Sequence, residues 1–219
     1  MTSASGNRAP EIISRGRVEA LSDGVFAIVV TLLVLEITVP HLAEHDSMTE
    51  LARALGMLAP KFVSWVISFV TVCVIWLNHH RLFTLVGRVD NGLFWMNANL
   101  LLWTSFIPFP TALMGDYPAN RLAVSFYGGV MFLMALAFVL VRCHLHRHPD
   151  RLEKDVDRTA FRTGTMYSIA MGPIAYAIGA GLAWVSPIGA FVCYGAIALY
   201  FVLPRSARSR PLRQRTDRE

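Results

Sequence analysis

Residues 17–37 read Arg17-Val-Glu-Ala-Leu-Ser-Asp-Gly-Val-Phe-Ala-Ile-Val-Val-Thr-Leu-Leu-Val-Leu-Glu-Ile37. A polar cluster opens the stretch: Arg17, Glu19, Ser22 and Asp23. No charge follows from Gly24 to Leu35, and Glu36 closes the run. A helix needs about 20 predominantly apolar residues to cross a bilayer, and this run approaches that length. Its polar groups then lie near one membrane surface, where burial is costly unless they are paired. A simple anchor has no need of them.

The surrounding chain has the composition of a membrane protein. Of its 219 residues 54% are hydrophobic and only 16% charged, against about 25% charged in soluble domains. The mean hydropathy is +0.47. Cys73, Cys143 and Cys193 fall in or beside apolar runs, without metal-ligand spacing, and read as small hydrophobes. The polar start and the length of the first apolar run argue against a cleavable signal peptide.

Hydrophobic runs and their breakers predict an all-α membrane protein of six spans, at roughly 17–39, 56–84, 91–113, 120–143, 159–184 and 188–203. Pro40 ends the first, because its ring cannot continue a helix. Residues 40–54 read as a polar loop, and Arg88 to Gly92 as a turn. Pro108 and Pro110 close the third span, and Ser186-Pro187 separates the last two. The chain thus divides into an N-terminal segment (1–16), a six-helix domain (17–203) and a basic tail (204–219). If the N-terminus is cytoplasmic, 17 of the 20 Lys and Arg residues fall inside, and only Arg53, Lys61 and Arg121 outside. This bias predicts both termini in the cytoplasm of a multi-pass cell-membrane protein. It also accounts for the net charge of +5 without a nucleic-acid partner.

At about 100° per residue, Ile28, Leu32 and Leu35 share one stripe of the first helix. Thr31 lies at its edge, with Gly24 and Leu21 near it, while Ser22 and Asp23 point to the other side. Pattern alone assigns such a stripe to lipid or to a neighbouring helix. Asp23 needs a partner, and Arg17, Asn78, His79, His80 and Arg81 are available on the same membrane side. They read as a polar knot tying the first helix to the second, with a proton relay as the alternative. His79 and His80 are adjacent, about 100° apart on a helix, and do not converge on one metal. His144, His146 and His148 read as a solvated basic connection. Asn97 and Asn99 are placed to bond across helices. No nucleophile elbow, phosphate loop or paired catalytic carboxylates appear, which argues against an enzyme and against a cofactor.

Arg17-Val-Glu-Ala-Leu21-Ser22-Asp23 resembles the Arg-x-x-x-Phe-Ser-Asp signature of the transmembrane protein 175 potassium channels, with Leu21 in place of the aromatic. The continuation to Ile37 and the segment Trp76-Leu-Asn-His79-His80-Arg81-Leu-Phe83 are also similar to that family. The resemblance implies a homotetramer whose pore is lined by the first helix of each subunit. It implies a hydrophobic constriction at Ile28, further apolar rings at Leu32 and Leu35, and a hydroxyl layer at Thr31. Ser22 and Asp23 would join the His79 region and the third helix behind the pore. The implied activity is passive conduction of monovalent cations, potassium over sodium, without a Thr-Val-Gly-Tyr-Gly filter. A proton-coupled transporter using Asp23 and His79 or His80 is the alternative, as is a scaffold without flux.

Overall fold

A computed structural model describes residues 14–44 and 46–202, without the side chains of 167–171 and 201–202. Most of the expected N-terminal segment and the whole basic tail lie outside the described residues. Apart from one isolated bridge between Val86 and Leu152, the regular elements among the described residues are helical. The α-helices are α1 (Arg15–Leu35), α2 (Met48–Met57), α3 (Ala59–Phe83), α4 (Asn91–Phe106), α5 (Pro108–Asp116), α6 (Arg121–Arg147), α7 (Arg158–Ile169), α8 (Ala175–Leu182) and α9 (Pro187–Val202).

Three helices, α1, α3 and α6, are long and apolar enough to cross a membrane, at 21, 25 and 27 residues. The other expected spans are interrupted or shorter. Ile107 separates α4 from α5, because Pro108 has no N–H to continue the ladder. A five-residue π segment, Ala170–Ile174, joins α7 to α8 and contains Pro173; such bulges absorb the bond that a proline removes. The expected polar loop 40–54 holds the start of α2. Ser47 caps that helix by accepting from the Glu50 N–H, and the Glu50 carboxylate accepts from the Ala43 and Glu44 N–H groups at 2.9 and 3.0 Å.

The central core gathers Phe26, Val29 and Leu33 of α1 with Val72 and Ile75 of α3, Leu100 of α4, Met131 of α6 and Tyr194 of α9. Hydroxyls cross-link it. Thr111 donates to Ser68 at 2.7 Å, Ser68 to Tyr127 at 3.2 Å, and Tyr194 to the Val124 carbonyl at 3.1 Å. In a bilayer, helices gain nothing from leaving water a second time, so small residues and such bonds hold them together.

A second apolar cluster lies at the start of α1, built from Val18, Phe83, Leu93, Val141 and Leu145. Polar groups close over it. Arg15 donates to the Val86 carbonyl at 2.8 Å and pairs with Glu19 and Glu153. Asp90 caps α4 by accepting from the Leu93 N–H at 2.7 Å, and His144 of α6 lies 3.1 Å away. Arg151 approaches the other Asp90 oxygen to 3.2 Å, while the Gly87 N–H donates to the Arg151 carbonyl. The α1 start, the α3–α4 turn and the end of α6 are thereby fixed to one another.

Candidate functional site

The two faces of α1 have opposite fates. Val18, Ser22, Phe26, Val29 and Leu33 recur every three or four residues and are buried. On the other side Arg17, Leu21, Gly24, Ile28, Thr31, Leu32 and Leu35 are all exposed. Ile28 is 59% exposed and Leu35 69%, on a helix apolar enough to cross a membrane. In a membrane-spanning helix a stripe of this kind faces lipid, a pore or another subunit. The Thr31 hydroxyl donates to the Ile28 carbonyl at 2.8 Å, so its lone pairs are directed away from the helix backbone.

The buried face carries a three-membered polar chain. Ser22 donates to the Val18 carbonyl at 2.8 Å and accepts from Asn97 Nδ2 at 3.0 Å. That orientation leaves Asn97 Oδ1 as the acceptor facing His79 Nε2, 2.8 Å away. The network therefore assigns the proton of neutral His79 to Nε2. All three side chains are nearly inaccessible, at 0%, 1% and 2% exposure. The rings of Phe26 and Phe83 flank the imidazole. Ser22, His79 and Asn97 thus join α1, α3 and α4.

Asp23 belongs to a separate, exposed pair. Trp76 Nε1 donates to its carboxylate at 2.9 Å, and His80 stacks on the Trp76 ring at 5.8 Å. The sequence-derived knot therefore divides in two. Ser22 and His79 meet through Asn97, Asp23 takes Trp76, and His80 touches only the tryptophan side of that pair. Arg17 is exposed and Asn78 half-buried, and neither is bonded to Asp23. Sequence reasoning did not single out Trp76, although it stands one turn before His79 and His80. It also missed Arg15, whose spacing of four to Glu19 was a signal, and the Asp90–His144 pair.

Among the described residues no group of three His, Cys, Asp or Glu side chains is arranged to hold a metal. His144 is engaged with Asp90, and His148 with the His144 carbonyl.

An all-α polytopic membrane protein is the class that this fold defines, with a first helix tied down on one face by buried polar bonds and bare on the other. A family model described as the endosomal/lysosomal potassium channel TMEM175 matches residues 17–108, and the proteins named Potassium channel B446_29190 of Streptomyces collinus and Potassium channel Cha6605_3372 of Chamaesiphon minutus are similar over most of their lengths. The chain belongs to the TMEM175 family. The Streptomyces protein is 40% identical over 190 residues, 85% of this chain and 90% of its own. The Chamaesiphon protein is 38% identical over 210 residues, 91% and 98%. The fold also matches the crystal structure of a lysosomal potassium-selective channel TMEM175 homolog from Chamaesiphon minutus, with a TM-score of 0.75 at 36% identity, covering 85% of this chain and 95% of that one.

Proposed function

We propose that this protein is a passive, potassium-preferring cation channel whose pore is enclosed by the α1 helices of four copies. One observation carries the reading: the stripe from Leu21 to Leu35 is exposed along its length, while the opposite face of α1 holds the buried bonds. The relatives named potassium channels supply the ion. One subunit cannot surround an axis with its first helix, so the pore requires several copies.

In this arrangement Ile28 forms the narrow ring, with Leu32 and Leu35 as further apolar rings. An apolar ring of small radius expels water and so blocks hydrated ions. Thr31 adds a layer of hydroxyl oxygens beside the constriction. Because each hydroxyl proton is committed to the Ile28 carbonyl, the oxygens are free to accept a partly dehydrated cation. Ser22, Asn97 and His79 hold the helix in register from behind, and Asp23 does so through Trp76.

Purified protein in liposomes tests this directly. A potassium gradient alone should drive flux, with sodium passing less readily. A saturable flux that requires a pH gradient would instead favour the transporter. Against that reading, Asp23 and His79 sit in different bonded pairs rather than sharing one site.

A further inference from the structure

We propose that the Arg17 side chains form a cationic ring at the cytoplasmic mouth of the pore and make conduction asymmetric, opposing potassium entry from the inside. The inference rests on the four-copy α1 pore proposed above and assigns a role to a residue outside its constriction.

Helix geometry places the ring. Arg17 precedes Ile28 by eleven residues, about three turns and roughly 17 Å along the axis, and the two differ by only about 20° in direction. Arg17 therefore continues the Leu21, Gly24, Ile28 and Leu35 stripe, and like them it is exposed. A methyl group added at Gly24 would meet nothing within 4 Å, so the subunit leaves the stripe open at that position.

Within one subunit, the charges of the described residues around it do not cancel it. Arg15 is turned to the Val86 carbonyl, Glu19 and Glu153. Glu19 points to the far side of the helix, toward Arg15. Asp23 lies about 120° round from Arg17 and accepts from Trp76. Among the described residues, Arg17 is thus the charged member of the pore-facing stripe. The first turn of α1 carries no acidic residue, and the aligned peptide dipoles leave partial positive charge at that end. Arginine stays charged at any physiological pH, so the ring is permanent. The positive-inside bias places this end in the cytoplasm.

A fixed positive ring lowers the local potassium concentration at its own mouth. Outward current draws on that reservoir, and inward current draws on the opposite one. Screening extends over about 8 Å at physiological salt but about 30 Å at 0.01 M, so the asymmetry must grow as salt falls.

Inside-out patches in symmetric KCl, at about 0.02 M and 1 M, provide the test. Wild type should pass roughly threefold less outward than inward current at low salt and equal currents at high salt, where the screening length is about 3 Å. Arg17→Lys should keep the asymmetry, Arg17→Gln remove it and Arg17→Glu reverse it. Symmetric wild-type currents at low salt, or asymmetry that persists in Arg17→Gln, would overturn the ring and leave the pore reading intact. Absence of any potassium current in wild type would remove both. If Arg17→Gln does not assemble on size-exclusion chromatography, the salt dependence of wild type decides. An asymmetry insensitive to salt overturns the proposal.

Discussion

Asn97 stands between Ser22 and His79 and satisfies both, donating to the serine at 3.0 Å and facing the imidazole at 2.8 Å. The buried side of the first helix is thereby specified by a polar contact as well as by apolar fit. Replacing Asn97 with Ala leaves the His79 N–H without its acceptor in a site with no room for bulk water. Stranding a buried donor costs about 1–3 kcal/mol. Asn97→Ala should therefore lower the thermal midpoint of the detergent-solubilised protein clearly more than Asn99→Ala does. Equal midpoints would show that the chain does not hold the helices.

The Asp23–Trp76 bond predicts a milder effect. Both partners are exposed within one subunit, and exposed polar bonds contribute little. Asp23→Ala should weaken assembly on size-exclusion chromatography and leave the potassium-to-sodium flux ratio unchanged. Asp23→Asn, which retains an acceptor oxygen, should behave closer to wild type. A well-assembled Asp23→Ala protein with altered selectivity would place this carboxylate on the ion path instead.

At Ile28 the prediction concerns water. In the proposed pore, Ile28→Asn would place an amide in the apolar ring and so wet the constriction. Liposome flux should rise several-fold and discriminate less between potassium and sodium. Because Ile28 is 59% exposed within the subunit, the thermal midpoint should change little. Unchanged flux would remove Ile28 from the gate.

Asp90 predicts a dependence on acid. Burial alone would raise its carboxyl pKa, but the Leu93 N–H bond and the charges of His144 and Arg151 outweigh burial and hold it below the ordinary value. A depressed folded pKa stabilises above the unfolded value, near 4, and that contribution is lost as pH falls through the folded value. Wild type should lose thermal stability from about pH 4 downward. Asp90→Asn should start less stable at neutral pH and show a shallower acid decline. Parallel curves for the two proteins would discount the cluster.

Gly128 packs under Tyr194 and Ala180, and an added methyl would come within 2.9 Å of the Ala180 side chain. Gly128→Ala should destabilise by about 1–3 kcal/mol, as overpacking generally does, whereas Gly129→Ala, facing open space, should be neutral to slightly stabilising, because alanine is the better helix former. A thermal-shift comparison of the pair separates packing from helix propensity.

The sequence made α1, α3, α6 and their breakers plain, because long uncharged runs bounded by proline and charge have few other readings. The partner of Asp23 stayed hidden, since a helical wheel gives a direction and not what stands opposite. Trp76 became visible only once α1 and α3 were packed. Helix α2 was concealed by the polarity of its loop, although Ser47 and Glu50 stand at capping-box spacing. Pro173 gave no sign of its π segment among small residues that also suit an ordinary helix. The stripe itself was legible as apolar, but periodicity assigns lipid-facing and pore-facing leucines identically.

On α1, the residues that organise the subunit and the residues proposed to meet the ion occupy opposite sides. Ile28, Thr31, Leu32 and Leu35 add little to the subunit's own interior, so substitutions there are cheap for folding. Substitutions on one face of a single helix can therefore alter the proposed ion path while the bonds of the other face, from Ser22 to Asn97 and His79, keep the subunit folded.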